Sequence, residues 1–178
     1  MTRFDTSILT PDPTARRPIL AVLDAALDAV DPFAAVQNIL RRQDEYLTAT
    51  DSAASEPAAE LTYDLRRYRR IFVVAAGKAA APMSSAVESL LQDRISGGLA
   101  VTKYDHAQPA DAASTTQSTV RVVEAGHPIP DEAGVLAGKE MLALVEQAGA
   151  DDLVIALLSG GGSALLVAPA LEITGNSG

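Results

Sequence analysis

Residues 152–166 read DLVIALLSGGGSALL, an apolar run that ends in three consecutive glycines with a serine on each side. The run from 153 to 158 is short, continuous and β-branched at Val154 and Ile155, which is typical of a strand buried on both faces. The next five residues predict a glycine-rich turn that opens a helix. Three glycines permit positive φ and a close backbone approach to a ligand.

This turn is a candidate anion site, because backbone N–H groups at a strand-to-helix turn can bind a phosphate or a carboxylate. The candidate binding residues are Ser159, Gly160, Gly161, Gly162 and Ser163. The alternative is a tight strand–helix turn that holds no ligand, and Ser163 can also be read as the helix N-cap.

The composition of the chain excludes several classes of protein. The 178 residues carry a net charge of −9, which argues against a nucleic-acid surface. The absence of cysteine excludes disulfides and thiolate metal sites. No apolar run approaches the ~20 residues that span a bilayer, and the first residues lack a secretory signal. We therefore expect a soluble, cytoplasmic protein that binds neither nucleic acid nor membrane.

Strand and helix patterns alternate after a predicted loose leader over residues 1–12, so that 13–178 is expected to form one α/β domain. Helices are predicted from Pro13, from Pro32, over 78–92 and over 131–147, and strands over 70–76, 98–102, 119–124 and 153–158, with an exposed loop at 48–60. This alternation is typical of βαβ units. The predicted fold is a three-layer, Rossmann-like α/β domain whose mostly parallel sheet is covered by helices.

Three motifs follow predicted strands: Gly77-Lys78, Gly126-His127-Pro128 and the turn at 159–163. Ligands of such sheets bind beyond the carboxyl ends of the strands, so the three motifs are expected to form one composite site. Lys78 is a cation at a predicted helix N-terminus, where the dipole disfavours it. It is therefore a candidate for holding an anionic substrate or a developing charge, the alternative being a tolerated surface lysine.

His127 is the second candidate catalytic residue, either as a general base or as a hydrogen-bond partner of a substrate oxygen. It could equally fix its loop by bonding to the backbone. Three further candidates are weaker. Asp131 fits a helix cap or a substrate or metal contact, Lys103 fits a positive rim or an ordinary surface position, and Gly77 closes its strand.

Known phosphate and metal motifs are absent from these residues. Ala79 replaces the Ser/Thr of a Walker A loop, and Phe72 stands where its first glycine belongs. Leu165 ends any G-x-G-x-x-G match, which removes the dinucleotide fingerprint. With only His106 and His127, no histidine metal site is predicted. An anion site without its own metal cage remains, suited to a carboxylate, a phosphate or a nucleotide that carries magnesium.

Taken together, VVAAGKAAAPM (73–83), VVEAGHPIPD (122–131) and LLSGGGSALL (157–166) resemble, in this order, the N-terminal domain of the type II glycerate kinases, the family with a C-terminal MOFRL domain. The resemblance implies phosphorylation of D-glycerate, normally at the 2-hydroxyl, with ATP and Mg²⁺ as cofactors and an active site between two domains. It also implies that Lys78 is the substrate-site lysine, that 159–163 is the anion loop and that His127 is the histidine of the GHP turn.

The chain departs from this family after Pro169, where the resemblance implies further helices and a second domain that supplies an important arginine. The chain instead ends ALEITGNSG. We therefore expect a truncated kinase domain that is weak or inactive alone and that needs a missing C-terminal domain or a homo-oligomer. Two alternatives stay open: a hydroxypyruvate reductase, a name that some relatives carry, and a non-catalytic anion-binding fragment.

Overall fold

The computed structural model describes residues 12–50, 60–107 and 118–168. The helices are α1 (Pro13–Ala29), α2 (Pro32–Ile39), α3 (Ala80–Leu91), α4 (Glu132–Val145) and α5 (Gly162–Leu165). The strands are β1 (Leu40–Gln43), β2 (Tyr46–Thr50), β3 (Glu60–Asp64), β4 (Arg70–Ala76), β5 (Ile95–Lys103), β6 (Val120–Ala125) and β7 (Asp152–Leu158). The predicted leader lies outside the described residues except for Asp12, whose side chain caps α1.

A parallel sheet in the order β6-β5-β4-β7 carries the fold. The central strand β4 is buried from Ile71 to Ala76, as its continuous apolar sequence predicts. Val73 lies opposite Gly98 of β5 and Ile155 of β7, so both neighbours are in register with it. The predicted α/β class with a parallel sheet is confirmed.

The two faces of this sheet bury separate cores, because successive side chains of a strand point to opposite faces. On one face Val73 packs with Val87 and Leu91 of α3. On the other face Val74 packs with Ala137 and Met141 of α4. Helices therefore cover both faces, which completes the predicted three layers.

The sheet contains a topological switch between β4 and β7. From β4 the chain passes through α3 to β5 on one side, whereas from β6 it crosses through α4 to β7 on the other side of β4. The carboxyl ends of β4 and β7 are consequently neighbours whose connections run in opposite directions. Open α/β sheets place ligands at such a point.

A second sheet, which sequence reasoning missed, consists of antiparallel β1, β2 and β3. Leu40 was expected to extend the second helix, and 48–60 was expected to be a loop. Instead Leu40 pairs with Ala49, and Thr48 pairs with Thr62. Residues 51–59 of the predicted loop lie outside the described part. The error arose because these polar strands are specified by pairing with each other, which leaves little local signal.

The start of α3 is also corrected. Gly77 has φ of 125°, so the helix begins at Ala80 and Lys78 lies in the preceding loop. In the described ranges no helix has the length and apolarity needed to cross a membrane.

Candidate functional site

The loops that follow β4 and β7 are hydrogen-bonded into one unit. Ser159 donates its backbone N–H to the carbonyl of Ala76 at 3.0 Å, and Lys78 donates its own to the carbonyl of Gly160 at 3.0 Å. The N–H of Ala79 donates to the hydroxyl oxygen of Ser159 at 3.1 Å. Two of the three predicted motifs therefore form a single structure at the switch point.

Gly77 makes this close approach possible. A β-carbon on Gly77 would lie 2.2 Å from Ser159 Oγ and 2.5 Å from the Ser159 carbonyl oxygen, and its φ lies in the region that L side chains rarely adopt. The structure thus gives Gly77 a packing role. Ser159 braces the loop through its hydroxyl oxygen, while its hydroxyl proton is still available as a donor.

Gly161 is the point where all three motifs meet. It has φ of 93°, and a β-carbon there would lie 2.9 Å from both Cδ2 and Nε2 of His127 and 3.5 Å from Cε of Lys78. The imidazole and the lysine side chain therefore both lie close to this glycine. The structure thus brings the three predicted motifs together at this glycine.

The backbone of the turn retains hydrogen-bonding capacity. Gly162 donates to the Ser159 carbonyl at 3.4 Å, whereas the N–H groups of Gly160 and Gly161 have no acceptor among the residues the structure describes. A cavity of about 430 Å³ opens beside them. Its lining residues are Ala76, Leu158, Ser159, Gly161, Gly162, Ser163 and Leu166. Such a cavity suits a small molecule with an anionic group.

Lys78 is exposed, and its ammonium group makes no ion pair or hydrogen bond within the described ranges. Its backbone is held in place, since its carbonyl accepts from Oγ1 of the fully buried Thr102 at 3.4 Å. A fixed backbone with an unpaired ammonium is what an anion-binding lysine requires.

His127 is half-buried and precedes a cis peptide bond to Pro128. Its ring makes no hydrogen bond to any described residue, so the alternative in which it fixes its loop by bonding to the backbone has no support there. Both ring nitrogens are consequently available for a substrate atom or water.

Asp131 is the N-cap of α4, as one of its two interpretations predicts: Oδ1 accepts from the N–H of Gly134 at 3.0 Å. Its other oxygen accepts from the Tyr104 hydroxyl at 2.8 Å. The N–H groups of Gly126 and Gly134 and the Tyr104 hydroxyl together hold the pKa of Asp131 below its usual value. Tyr104 was missed by sequence reasoning, since this contact spans 27 residues and leaves no local pattern.

The last two candidates, the weaker Lys103 and the turn residue Ser163, differ in their relation to the cavity. Lys103 ends β5 opposite Ala125, at the same edge of the sheet, but it does not line the cavity. Ser163 lies in α5 and lines the cavity, while the N-cap position belongs to Gly161. In the part of the chain covered by the structure, no group of three or more histidine or acidic side chains could hold a metal ion.

Comparison with known proteins identifies the family of this chain. The profile of DUF4147, described as a domain of unknown function, matches residues 19–177. A putative hydroxypyruvate reductase of Agrobacterium vitis is 37% identical over 92% of this chain and 30% of its own length. A glycerate 2-kinase of Pyrococcus horikoshii is 34% identical over 84% of this chain and 30% of its own.

Solved structures agree with the sequence relatives. The crystal structure of the PH0495 protein from Pyrococcus horikoshii OT3 superposes with a TM-score of 0.69 at 32% identity, covering 94% of this chain and 33% of that protein. The chain thus spans about 30% of the length of the relatives it matches.

Proposed function

This chain belongs to the DUF4147 family, the N-terminal domain of the glycerate 2-kinase family, and on that premise we propose that it forms one wall of a site for the ATP-dependent phosphorylation of D-glycerate to 2-phosphoglycerate. The observation that carries the proposal is the convergence at Gly161, where the His127 ring and the Lys78 side chain both lie within 3.5 Å of the β-carbon position. Gly161 also lines the cavity of about 430 Å³, whose other lining residues do not include Lys78 or His127.

Lys78 supplies the positive charge in this proposal. Its unpaired ammonium would hold the carboxylate of glycerate or the phosphoryl group in transit, where negative charge increases in the transition state. The free N–H groups of Gly160 and Gly161 would hold a second anionic group, because backbone donors at a glycine turn bind oxyanions without reorganising. The site then positions two anionic partners next to each other.

His127 is the proposed proton acceptor. Its ring lies within reach of a ligand bound over Gly161, and its nitrogens have no partner among the described residues. It would accept the proton of the attacking 2-hydroxyl or hydrogen-bond to that oxygen. Lys78 and His127 thereby divide charge stabilisation and proton transfer between them.

ATP and Mg²⁺ are the cofactors of the proposal. The donors of the site fit phosphate oxygens, whereas the described residues offer no carboxylate cluster for a metal. We therefore expect Mg²⁺ to bind with the nucleotide phosphates, whose charge it would neutralise. The role of this chain is to bind and orient the anionic groups.

Catalysis is expected to need the rest of a glycerate kinase. The chain corresponds to about 30% of its relatives, and phosphoryl transfer depends on groups that surround the phosphate. One wall of a cleft would bind substrates weakly and catalyse poorly. We propose that a second domain, or another copy of the chain, completes the site.

A chimera tests the proposal. The matching N-terminal segment of the Pyrococcus horikoshii glycerate 2-kinase is replaced by this chain, and glycerate-dependent ADP release is measured for the chimera, for the 178-residue chain alone and for the chimera with Lys78→Ala. We expect activity in the chimera, little in the isolated chain and a large loss in the variant. A folded chimera that releases no ADP would overturn the kinase proposal. Full activity of the isolated chain would overturn the requirement for a second domain.

A second candidate function follows from the names of two relatives, which are putative hydroxypyruvate reductases at 37% and 44% identity. The local sequence opposes it, because the position of the third fingerprint glycine is Leu165, which is fully buried in the core. Oxidation of NADH or NADPH by the chimera with hydroxypyruvate would support the reductase. If neither reaction occurs but anions bind, the non-catalytic fragment becomes the favoured alternative.

A further inference from the structure

A hydrogen-bonded cluster lies directly behind the His127 turn. We propose that Tyr104 and Asp131 form a clamp that positions His127 against Gly161, so that Tyr104 is a positioning residue of the site. The inference rests on the proposed function for its chemical purpose. The clamp itself can be tested without any reaction.

The clamp joins the end of β5 and the start of α4 through one carboxylate. Tyr104, just after β5, donates its hydroxyl to Asp131 Oδ2 at 2.8 Å. Gly134, in the first turn of α4, donates its N–H to Oδ1 at 3.0 Å. Both oxygens of Asp131 therefore have partners, one at the end of β5 and one in the first turn of α4.

The turn itself is folded tightly against this carboxylate. A β-carbon on Gly126 would lie 3.0 Å from Asp131 Cγ and 2.6 Å from the carbonyl oxygen of Ile129. The backbone N–H of Tyr104 also donates to the carbonyl of Ala125 at 3.3 Å. Ala125 is thus bonded to the end of β5, and Gly126 packs closely against Ile129 and Asp131.

Helix capping alone does not account for these contacts. An N-cap needs one side-chain oxygen, which Oδ1 provides to Gly134. Tyr104 is 46% exposed and could bond to water instead, yet its hydroxyl donates to the second oxygen. This second bond restrains the turn and adds nothing to the cap.

The restraint acts on the residue that touches the glycine turn. His127 follows Gly126 directly, and its ring lies 2.9 Å from the β-carbon position of Gly161. A shift of about 1 Å in a positioned catalytic group can cost a large part of the rate. Loss of the Tyr104 hydroxyl is therefore expected to loosen His127 while leaving the fold intact.

The test compares Tyr104→Phe with Tyr46→Phe in the full chain. Tyr46 is a matched control, because it is 44% exposed and its hydroxyl accepts from Arg66 at 2.9 Å, in the other sheet. The readout is the NMR cross-relaxation between the His127 Hδ2 proton and the Gly161 α-protons, with the thermal midpoint measured in parallel. We expect a severalfold weaker signal in Tyr104→Phe only, at similar thermal midpoints. An unchanged signal in that variant would overturn the clamp.

Asp131 provides a second test that separates the cap from the clamp. Serine is a good N-cap but is too short to reach Tyr104, so Asp131→Ser is expected to keep α4 stable and to weaken the His127–Gly161 signal. Asp131→Ala should lose both. Wild-type signal in a folded Asp131→Ser would contradict the proposal even if Tyr104→Phe failed to fold.

Binding separates this inference from the proposed function. D-glycerate and inorganic phosphate are titrated into the wild type and into Tyr104→Phe. Weaker binding of both by the variant supports a clamp that serves the site. If the wild type binds neither, the proposed function fails, while the ligand-free signal still decides whether the clamp exists.

Discussion

Arg70 and Asp152 face each other at the first register pair of β4 and β7, where Arg70 Nη2 donates to Asp152 Oδ2 at 2.6 Å and Nε donates to Oδ1 at 3.2 Å. At the opposite end of the same two strands, the pair Ala76 and Leu158 leads into the interlocked loops. Contacts therefore hold β4 and β7 together at both ends of the strand pair. The loops that carry the candidate site therefore start from a fixed register.

Asp152→Asn should flatten the acid dependence of stability. The Arg70 guanidinium, helped by the Gly149 N–H, holds the pKa of the Asp152 carboxyl far below its usual value of 3.8. A depressed folded-state pKa gives stability that is complete above the unfolded pKa and is lost as the pH falls through the folded one. The urea midpoint of the wild type should therefore exceed that of the variant at neutral pH, and the difference should shrink below pH 3.8. A constant difference would contradict this.

Gly77→Ala should destabilise the chain and separate the two loops. The substitution forces alanine to a φ of 125° and places its β-carbon 2.2 Å from Ser159 Oγ. Alanine at positive φ costs more than about 1 kcal/mol, and the collision adds to this. Gly160→Ala is the matched control, since nothing lies within 4 Å of its β-carbon position. Urea unfolding should show a large loss for Gly77→Ala and a small change for the control.

Gly161→Ala should displace His127 more than it lowers stability. Its φ of 93° carries a strain of about 1 kcal/mol, and its β-carbon would meet the imidazole at 2.9 Å. Because His127 is only half-buried, its ring is expected to move away from the new methyl group. The NMR shifts of the His127 ring protons should change markedly, while those of His106 stay constant. Unaltered His127 shifts would show that the ring does not pack on this glycine.

The parallel sheet could be predicted because its strands are short apolar runs. The expectation that 153–158 is buried on both faces was wrong, since β7 is an edge strand in which only Leu157 is buried and Leu158 is 74% exposed. The run 71–76 and the run 153–158 are continuously apolar, and such runs specify a strand without knowledge of its neighbours. The convergence of Lys78, His127 and the glycine turn followed from topology, because parallel strands bring their carboxyl ends to one edge. The sequence was sufficient to predict features with a local apolar signal, and features that follow from the general rule on the carboxyl ends of parallel strands.

The features that escaped prediction depend on contacts between distant residues. In β1, partly buried and exposed residues alternate, but its short polar sequence, LRRQ, does not reveal this pattern. The buried side of α4 includes two glycines beside Ala137 and Met141: β-carbons on Gly134 and Gly138 would lie 2.9 Å from the Leu165 carbonyl oxygen and 2.5 Å from that of Val167. The larger Leu142 of the same helix is exposed. Close packing on glycine thus places part of the buried side of α4 where no large apolar residue signals it.

Lys78→Ala should weaken anion binding without a comparable loss of stability. The ammonium has no partner within the described residues, so its removal leaves no unpaired charge, whereas a bound carboxylate or phosphate would lose a charge-assisted contact. Loss of such a contact is expected to raise the Kd of the anion about tenfold or more. Titrations with D-glycerate and inorganic phosphate, followed by NMR, measure this change in Kd.

Lys139→Ala removes an exposed lysine of α4 and is the control, which should bind like the wild type. The Lys78 backbone is held by the hydrogen bonds between the loops that follow β4 and β7, which depend on Gly77, so Gly77→Ala should also weaken binding. Equal affinities for Lys78→Ala and Lys139→Ala would remove the lysine from the site and leave the glycine turn and His127 as its remaining groups.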